Sequence, residues 1–314
     1  IEQMLRNQGK DYIPQLFKFA QIVMATNKNA VKYATTGTPK NLWCVWREQD
    51  AEWQNKLLDQ YVVGREITEQ DRNIVSFLEP GRLLKLTKYF ILYDANIKKI
   101  CRYQQFFAVE EIIKTIQQSD SAGNRHGGVI WHTQGSGKSL TMVMVAKYIL
   151  MEMSRFNPRV VIVTDRKELD KQIAKTFAHT RLSPARATSG KHLIELINKG
   201  SADVITSIIN KFNTVESSGL KNASRDIFVL IDESHRSNYG SLATKMRVVF
   251  PNACYIGFTG TPLMKSEKNT MEKFGKLIHK YTIKDGVDDH AIVPLIYEGR
   301  FVEQNVDDAN IDLW

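Results

Sequence analysis

Residues Gly127–Leu150 read GGVIWHTQGSGKSLTMVMVAKYIL, and no other stretch constrains the fold as tightly. A short apolar run, Gly128–Trp131, leads through Gly135–Ser139 (GSGKS) into Lys138–Met153, which has helical period. Glycines at these places let backbone N–H groups turn inward around phosphate oxygens, and the helix that starts there directs its positive end at the same point. Lys138 is placed to meet the β- and γ-phosphates of a nucleotide, and Ser139 to put its hydroxyl on Mg²⁺. Thr133, Gln134, Gly135, Ser136, Gly137, Lys138 and Ser139 are therefore the candidate residues for ATP and Mg²⁺. The usual pattern G-x-x-x-x-G-K-[ST] begins with Gly, often Ala; here that place is His132. A glycine-rich turn ahead of an ordinary helix is the alternative, and strand, loop and helix in this order favour the phosphate loop.

The same alternation continues downstream. Val160–Val163, Asp203–Thr206, Phe228–Ile231 and Ala253–Phe258 are short Val/Ile-rich runs, apolar on both faces, as buried parallel strands are. Between them Lys167–His179, Lys191–Lys199 and Ser241–Phe250 have helical period. The pattern predicts a doubly wound α/β sheet, whose ligands sit beyond the carboxyl ends of the strands. Upstream, 17–25 and 30–33 flank a Thr26–Asn29 turn and predict a strand pair, while 50–99 reads as helical. Thr214–Ser224 reads as a loop.

Composition narrows the class. Forty-three Lys and Arg against 34 Asp and Glu leave a formal charge of +9, which favours polyanion partners. Cys44, Cys101 and Cys254 are far apart and have no metal-like spacing, which predicts reduced thiols and a cytoplasmic protein. No apolar run approaches the ~18 residues of a membrane span. The first residue is Ile1 rather than Met, and Trp314 falls inside what reads as a new element, so the expectation is a fragment of a longer protein.

Phe228–His235 is an apolar strand ending in Asp232-Glu233-Ser234-His235. Asp232 at the strand end can hold the water shell of Mg²⁺, and Glu233 can orient and deprotonate the attacking water. A solvated acidic loop is the alternative. An acid pair followed by Ser-His resembles the DEAD/DEAH-type box of superfamily 2 helicases and translocases. The next strand ends Gly257-Phe-Thr-Gly-Thr-Pro262, similar to that superfamily's [ST]-[AG]-[ST] motif. The resemblance implies that His235, Thr259 and Thr261 couple the ATP site to nucleic acid; without it, Thr-Gly-Thr-Pro is a turn. Arg102-x-x-Gln105-x-x-Ala108 resembles the segment in which a glutamine reads adenine, and an exposed helix start reads equally well. Thr164 and Arg166, ending the second strand, and Lys211 in TSIINKF fall where the superfamily contacts the nucleic-acid backbone. For the former a capped helix with a charged face is the alternative.

"WHTQGSGKSLTM", "VTDRKELDKQI", "IDESHRS" and "GFTGTPL" together resemble the motor of the restriction (R) subunit of type I restriction–modification enzymes. That family writes its loop with the histidine. The resemblance implies a RecA-like parallel sheet with helices on both faces, preceded by the tail of a nuclease-like α/β domain and a helical connector. It places the nuclease tail at 1–50, the connector at 51–100, the first RecA-like ATP-binding motor domain at 101–290 and the start of a second at 291–314. It implies an ATP-dependent DNA translocase whose motion leads to double-strand cleavage, in a complex with methylation and specificity subunits. The nuclease carboxylates are then expected before Ile1 and the arginine finger after Trp314. A strand-separating DNA or RNA helicase of superfamily 2 is the nearest rival. A non-catalytic ATP-dependent clamp is the second, and Glu233 argues against it, since a clamp needs no base.

Overall fold

The computed structural model describes residues 1–94, 97–164, 177, 184–200, 202–212, 219, 221–232, 239–260 and 274–293. The chain opens with two short helices, α1 (Glu2–Asn7) and α2 (Pro14–Phe17). Then comes an antiparallel hairpin, β1 (Val23–Asn27) and β2 (Ala30–Ala34), turning at Lys28-Asn29. Three helices follow, each with its start signal in the sequence. The Asp50 carboxylate accepts from Trp53 N ahead of α3 (Ala51–Tyr61). Thr68 and Asp71 form a reciprocal capping box on α4 (Glu69–Phe77), and Glu79 caps α5 (Pro80–Tyr89), where Pro80 costs nothing because the first helical N–H has no partner anyway. The stretch read as helical to residue 99 instead ends in a second hairpin, β3 (Ile91–Asp94) and β4 (Ile97–Ile100). Its Lys98 and Lys99 disguised a short strand that an aliphatic run would have announced.

The remainder is the parallel sheet. Helix α6 (Tyr103–Ile116) precedes β5 (Gly128–His132), and α7 (Lys138–Glu152) and β6 (Arg159–Thr164) follow. Next come β7 (Pro184–Arg186), α8 (Gly190–Lys199), β8 (Val204–Ile208), β9 (Ile227–Ile231), α9 (Tyr239–Val249), β10 (Cys254–Thr259), β11 (Leu277–Tyr281) and α10 (Ile283–Asp288). Seven strands lie in the order β11-β5-β10-β9-β6-β8-β7, and all neighbours are parallel. This is the RecA-like sheet with helices on both faces. The five expected strands are its centre. The two edge strands escaped sequence reading because one is only three residues long and the other, LIHKY, carries a histidine and a lysine. Of the expected helix at Lys167–His179 only Phe177 is described, helical and buried, and most of the Thr214–Ser224 loop lies outside the described residues.

Alternate residues of each strand feed opposite cores. Ile130, Val160, Ile162, Phe228, Leu230 and Ile256 face α6 and α7. Val129, Val161, Val163, Val229 and Ile231 face α8 and α9. The first core runs without a break into Tyr33, Trp46, Phe77, Leu86 and Phe90, so the N-terminal hairpin, α4 and α5 pack on the α6–α7 face, and α3 packs against α4. Arg82 of α5 locks this junction. Its guanidinium lies 4.2 Å from the Trp53 ring centroid, within about 5.5 Å of Trp46, Phe106 and Phe107, and pairs with the buried Glu48.

Candidate nucleotide-binding site

The loop between β5 and α7 has the backbone that a phosphate cradle requires. Gly135 and Gly137 sit at φ of 83° and 90°, the left-handed region where an L side chain costs about 1–2 kcal/mol. Thr133 N–H donates to Tyr281 O (2.9 Å) and Ser136 N–H to Thr133 O (3.2 Å), which curls the loop back on itself. The Lys138 ammonium donates to His132 O (3.3 Å) across the loop. The N-cap of α7 is Gly137, which has no side chain to cap the N–H groups of the first turn. The Ser136 hydroxyl is buried and has no hydrogen-bond partner among the described residues. An orphaned hydroxyl of this kind, beside an uncapped helix start, fits a phosphate group. Gln134 and Gly135 are exposed and Ser139 half-buried, so the loop opens to solvent.

Gln105 is drawn into this loop. Its Oε1 accepts from Arg102 N–H (2.8 Å), and its Nε2 donates to Gly137 O (3.1 Å) and to Thr141 Oγ1 (3.4 Å). The glutamine thus ties the start of α6 to the loop. A cavity of about 250 Å³ adjoins the loop, with Leu42, Ile100, Arg102, Gln105, Gly137 and Leu140 among its walls. Sequence reading missed the contribution of Leu42 and its neighbours Thr38 and Pro39, because nothing local in that segment signals a ligand.

Strand register sets the second half of the site. Ile231 pairs with Val163 on one side and with Gly257 on the other, and Gly257 pairs with Val129. Thr164, Asp232, Phe258 and Ile130 therefore stand in one row, with Thr259 opposite Trp131 one step beyond. The carboxyl ends of β5, β6, β9 and β10 converge on one edge of the sheet. Asp232 is buried there, its N–H donating to Val163 O (3.0 Å), two strand spacings (about 10 Å) from β5. Among the described residues no group of three His, Cys, Asp or Glu could hold a metal alone. Mg²⁺ in phosphate sites characteristically takes one or two protein oxygens and completes its shell with water and substrate, so Ser139 and Asp232 suit it chemically. Thr164 and Thr259 are fully buried, and in this conformation neither hydroxyl reaches the surface. The Lys211 ammonium donates to Ala187 O. Glu233, His235, Thr261 and Arg166 lie outside the described residues.

Two histidines sit behind the loop. His132, the last residue of β5, and His279 of β11 are bonded Nε2 to Nδ1 (2.9 Å), and His279 Nε2 reaches Gln49 Oε1 (3.0 Å). Burial, then the neighbouring His279 and Lys138, hold His132 well below the usual imidazole range. Burial lowers His279 to about 4 against the opposing pull of Glu111 and Asp285. The sequence signalled His132 only as a departure from the loop pattern and His279 not at all.

A family model described as SWI2/SNF2 ATPase matches residues 104–314. Over 316 residues the chain is 32% identical to a protein of Methanocaldococcus jannaschii ascribed to the endonuclease subunit of type I restriction enzyme MjaIXP, covering 96% of this chain and 30% of that one. It is 31% identical over 315 residues to the endonuclease subunit of type I restriction enzyme HindI from Haemophilus influenzae, covering 92% of this chain and 29% of the relative. A third relative, the SsaAORF53P endonuclease subunit of a type I restriction enzyme from Staphylococcus saprophyticus, is 28% identical over 99% of this chain and 33% of its own. The resemblance carried by the loop, the acid pair and the GFTGTPL segment is thus to named R-subunit proteins, and the chain spans about a third of their length.

Proposed function

The chain belongs to the SWI2/SNF2 ATPase family, and on that premise we propose that it is the nucleotide-binding core of the DNA-translocating motor in a type I restriction endonuclease subunit. The observation that carries this reading is the GSGKS loop with its uncapped helix start, on the same sheet edge as Asp232. The triphosphate of ATP lies on Gly135–Ser139, and its base enters the cavity beside Leu42 and Gln105. That cavity, about 250 Å³, is smaller than the ~300–1,000 Å³ that encloses a whole drug-sized ligand, and it suits one part of a nucleotide. Lys138 releases the His132 carbonyl and moves to the phosphates. Ser139 and Asp232 are the residues that would hold magnesium, which neutralises phosphate charge when bound. Glu233 accepts the proton of the attacking water. Duplex DNA crosses the strand ends near Arg166 and Lys211 and is held through its phosphates, in keeping with the charge of +9. His235, Thr259 and Thr261 couple the two sites. We assign residues 1–50 to a nuclease-domain tail and 101–290 to the first motor domain. Methylation and specificity subunits are the partners, and cleavage of the DNA duplex is the outcome of translocation.

The test separates binding from hydrolysis. Lys138→Ala is expected to abolish ATP binding. Glu233→Gln is expected to bind ATP normally and not turn it over, because an amide does not take the proton. Normal turnover by Glu233→Gln would remove the base assignment; absence of turnover in the unsubstituted intact subunit would favour a clamp. Displacement of a DNA triplex without strand separation by the intact subunit supports translocation; strand separation would favour a helicase.

A further inference from the structure

The pair of histidines behind the loop has a direction, and hydrogen-bond accounting supplies it. Gln49 Oε1 is an acceptor only, so His279 Nε2 carries the hydrogen and donates to it (3.0 Å). The other nitrogen of that neutral ring, Nδ1, is then bare and accepts from His132 Nε2–H (2.9 Å). His132 Nδ1 is left as a bare acceptor, buried, with no partner among the described residues. Both rings must be neutral for this chain of bonds, and burial lowers both imidazoles far enough to keep them so near neutral pH.

The two ends of the chain lie at different parts of the protein. At one end, the His132 carbonyl is the acceptor of the Lys138 ammonium, and Ser136, four residues on, is the loop's other buried orphan. At the other end, Gln49 is exposed, and its own N–H donates to Glu48 Oε1 (3.2 Å). Glu48 in turn pairs with Arg82 of α5. A buried polar atom without a partner is unfavourable, so a loop shift that brings a donor to His132 Nδ1 is favoured.

We propose that Gln49, His279 and His132 form a positioning relay that ties the conformation of the phosphate loop to the segment ahead of α3. It rests on the reading that the loop binds nucleotide, and it adds a route by which occupancy of the loop is felt at Gln49, in the segment ahead of α3. Gln49 holds His279 in one tautomer, His279 holds His132 in one tautomer, and the His132 ring orientation sets the carbonyl that Lys138 leaves when phosphate arrives.

The experiment uses the whole chain with ¹⁵N-labelled histidine and ATP with magnesium as the probe. Imidazole ¹⁵N resonances report which nitrogen is protonated. In the native chain His132 and His279 are expected as pure Nε2–H tautomers, and ATP is expected to shift the His132 Nδ1 resonance. Gln49→Met removes only an exposed acceptor. It is expected to mix the tautomers of both rings and to weaken ATP binding about five-fold, the effect of one lost hydrogen bond. His279→Asn keeps an oxygen acceptor for His132 Nε2–H and should bind ATP better than His279→Leu. Native tautomers in Gln49→Met would overturn the relay, and mixed tautomers with unchanged ATP affinity would overturn its positioning role. Undiminished ATP binding by Lys138→Ala would instead refute the nucleotide reading on which the relay rests.

Discussion

A single methyl group at Gly137 tests the geometry of the loop. In Gly137→Ala the residue keeps a φ near 90°, which costs about 1–2 kcal/mol for an L side chain. The new Cβ would also stand 2.7 Å from Gln105 Nε2, closer than such contacts allow. The carboxamide must therefore swing away, breaking its bonds to Gly137 O (3.1 Å) and Thr141 Oγ1 (3.4 Å) and straining the one from Arg102 N–H (2.8 Å). At about 1 kcal/mol net for each good bond, the total comes to roughly 2–4 kcal/mol. Gly135→Ala is the control. Its φ is similar at 83°, but its Cβ would meet nothing nearer than Ile292 at 3.9 Å, so only the backbone cost of about 1–2 kcal/mol applies. Urea unfolding of both variants, each also in a Gln105→Ala background, isolates the clash as a coupling energy. With the side chain of Gln105 removed, the excess cost of Gly137→Ala should vanish. Equal destabilisation by the two glycine substitutions, or an excess that survives Gln105→Ala, would refute the clasp between α6 and the loop.

Three further outcomes follow from the described contacts. Arg82→Met leaves the Glu48 carboxylate, whose side chain is 3% exposed, without its partner, and should cost about 3–5 kcal/mol in urea unfolding; adding Glu48→Leu should recover much of it. His279 is neutral in the fold with its pKa lowered to about 4, against 6.5 ordinarily, so the unfolded chain takes up the proton first as pH falls. Its contribution is complete above about pH 6.5 and is lost between there and about pH 4, an effect of about 3 kcal/mol; His279→Asn should flatten stability against pH in that window. Leu42→Trp, at a half-exposed wall of the loop-side cavity, should weaken ATP binding measured by calorimetry and spare binding of inorganic tripolyphosphate, which has no base; equal loss of both would place the base elsewhere.

The sequence by itself determined the parallel sheet, because its five central strands are buried on both faces and so are written as short, largely apolar runs rich in Val and Ile, as in Ile227–Ile231. It also determined the loop, since two left-handed positions before a helix start all but require the glycines of GSGKS. Edge strands were less legible. LIHKY packs only one flank against β5, so its pattern is free to carry His279 and Lys280. Only the tertiary structure decided what surrounds the loop. Gln105 could be read as a helix start or as a base reader; its hydrogen bond to Gly137 O, 32 residues away, depends on how α6 packs against α7. The cavity wall at Leu42 and the histidine pair joined to Gln49 arise from contacts across 95 to 230 residues of chain. Such contacts leave no local periodicity or spacing, because they depend on the meeting of separate elements rather than on the conformation of any one of them.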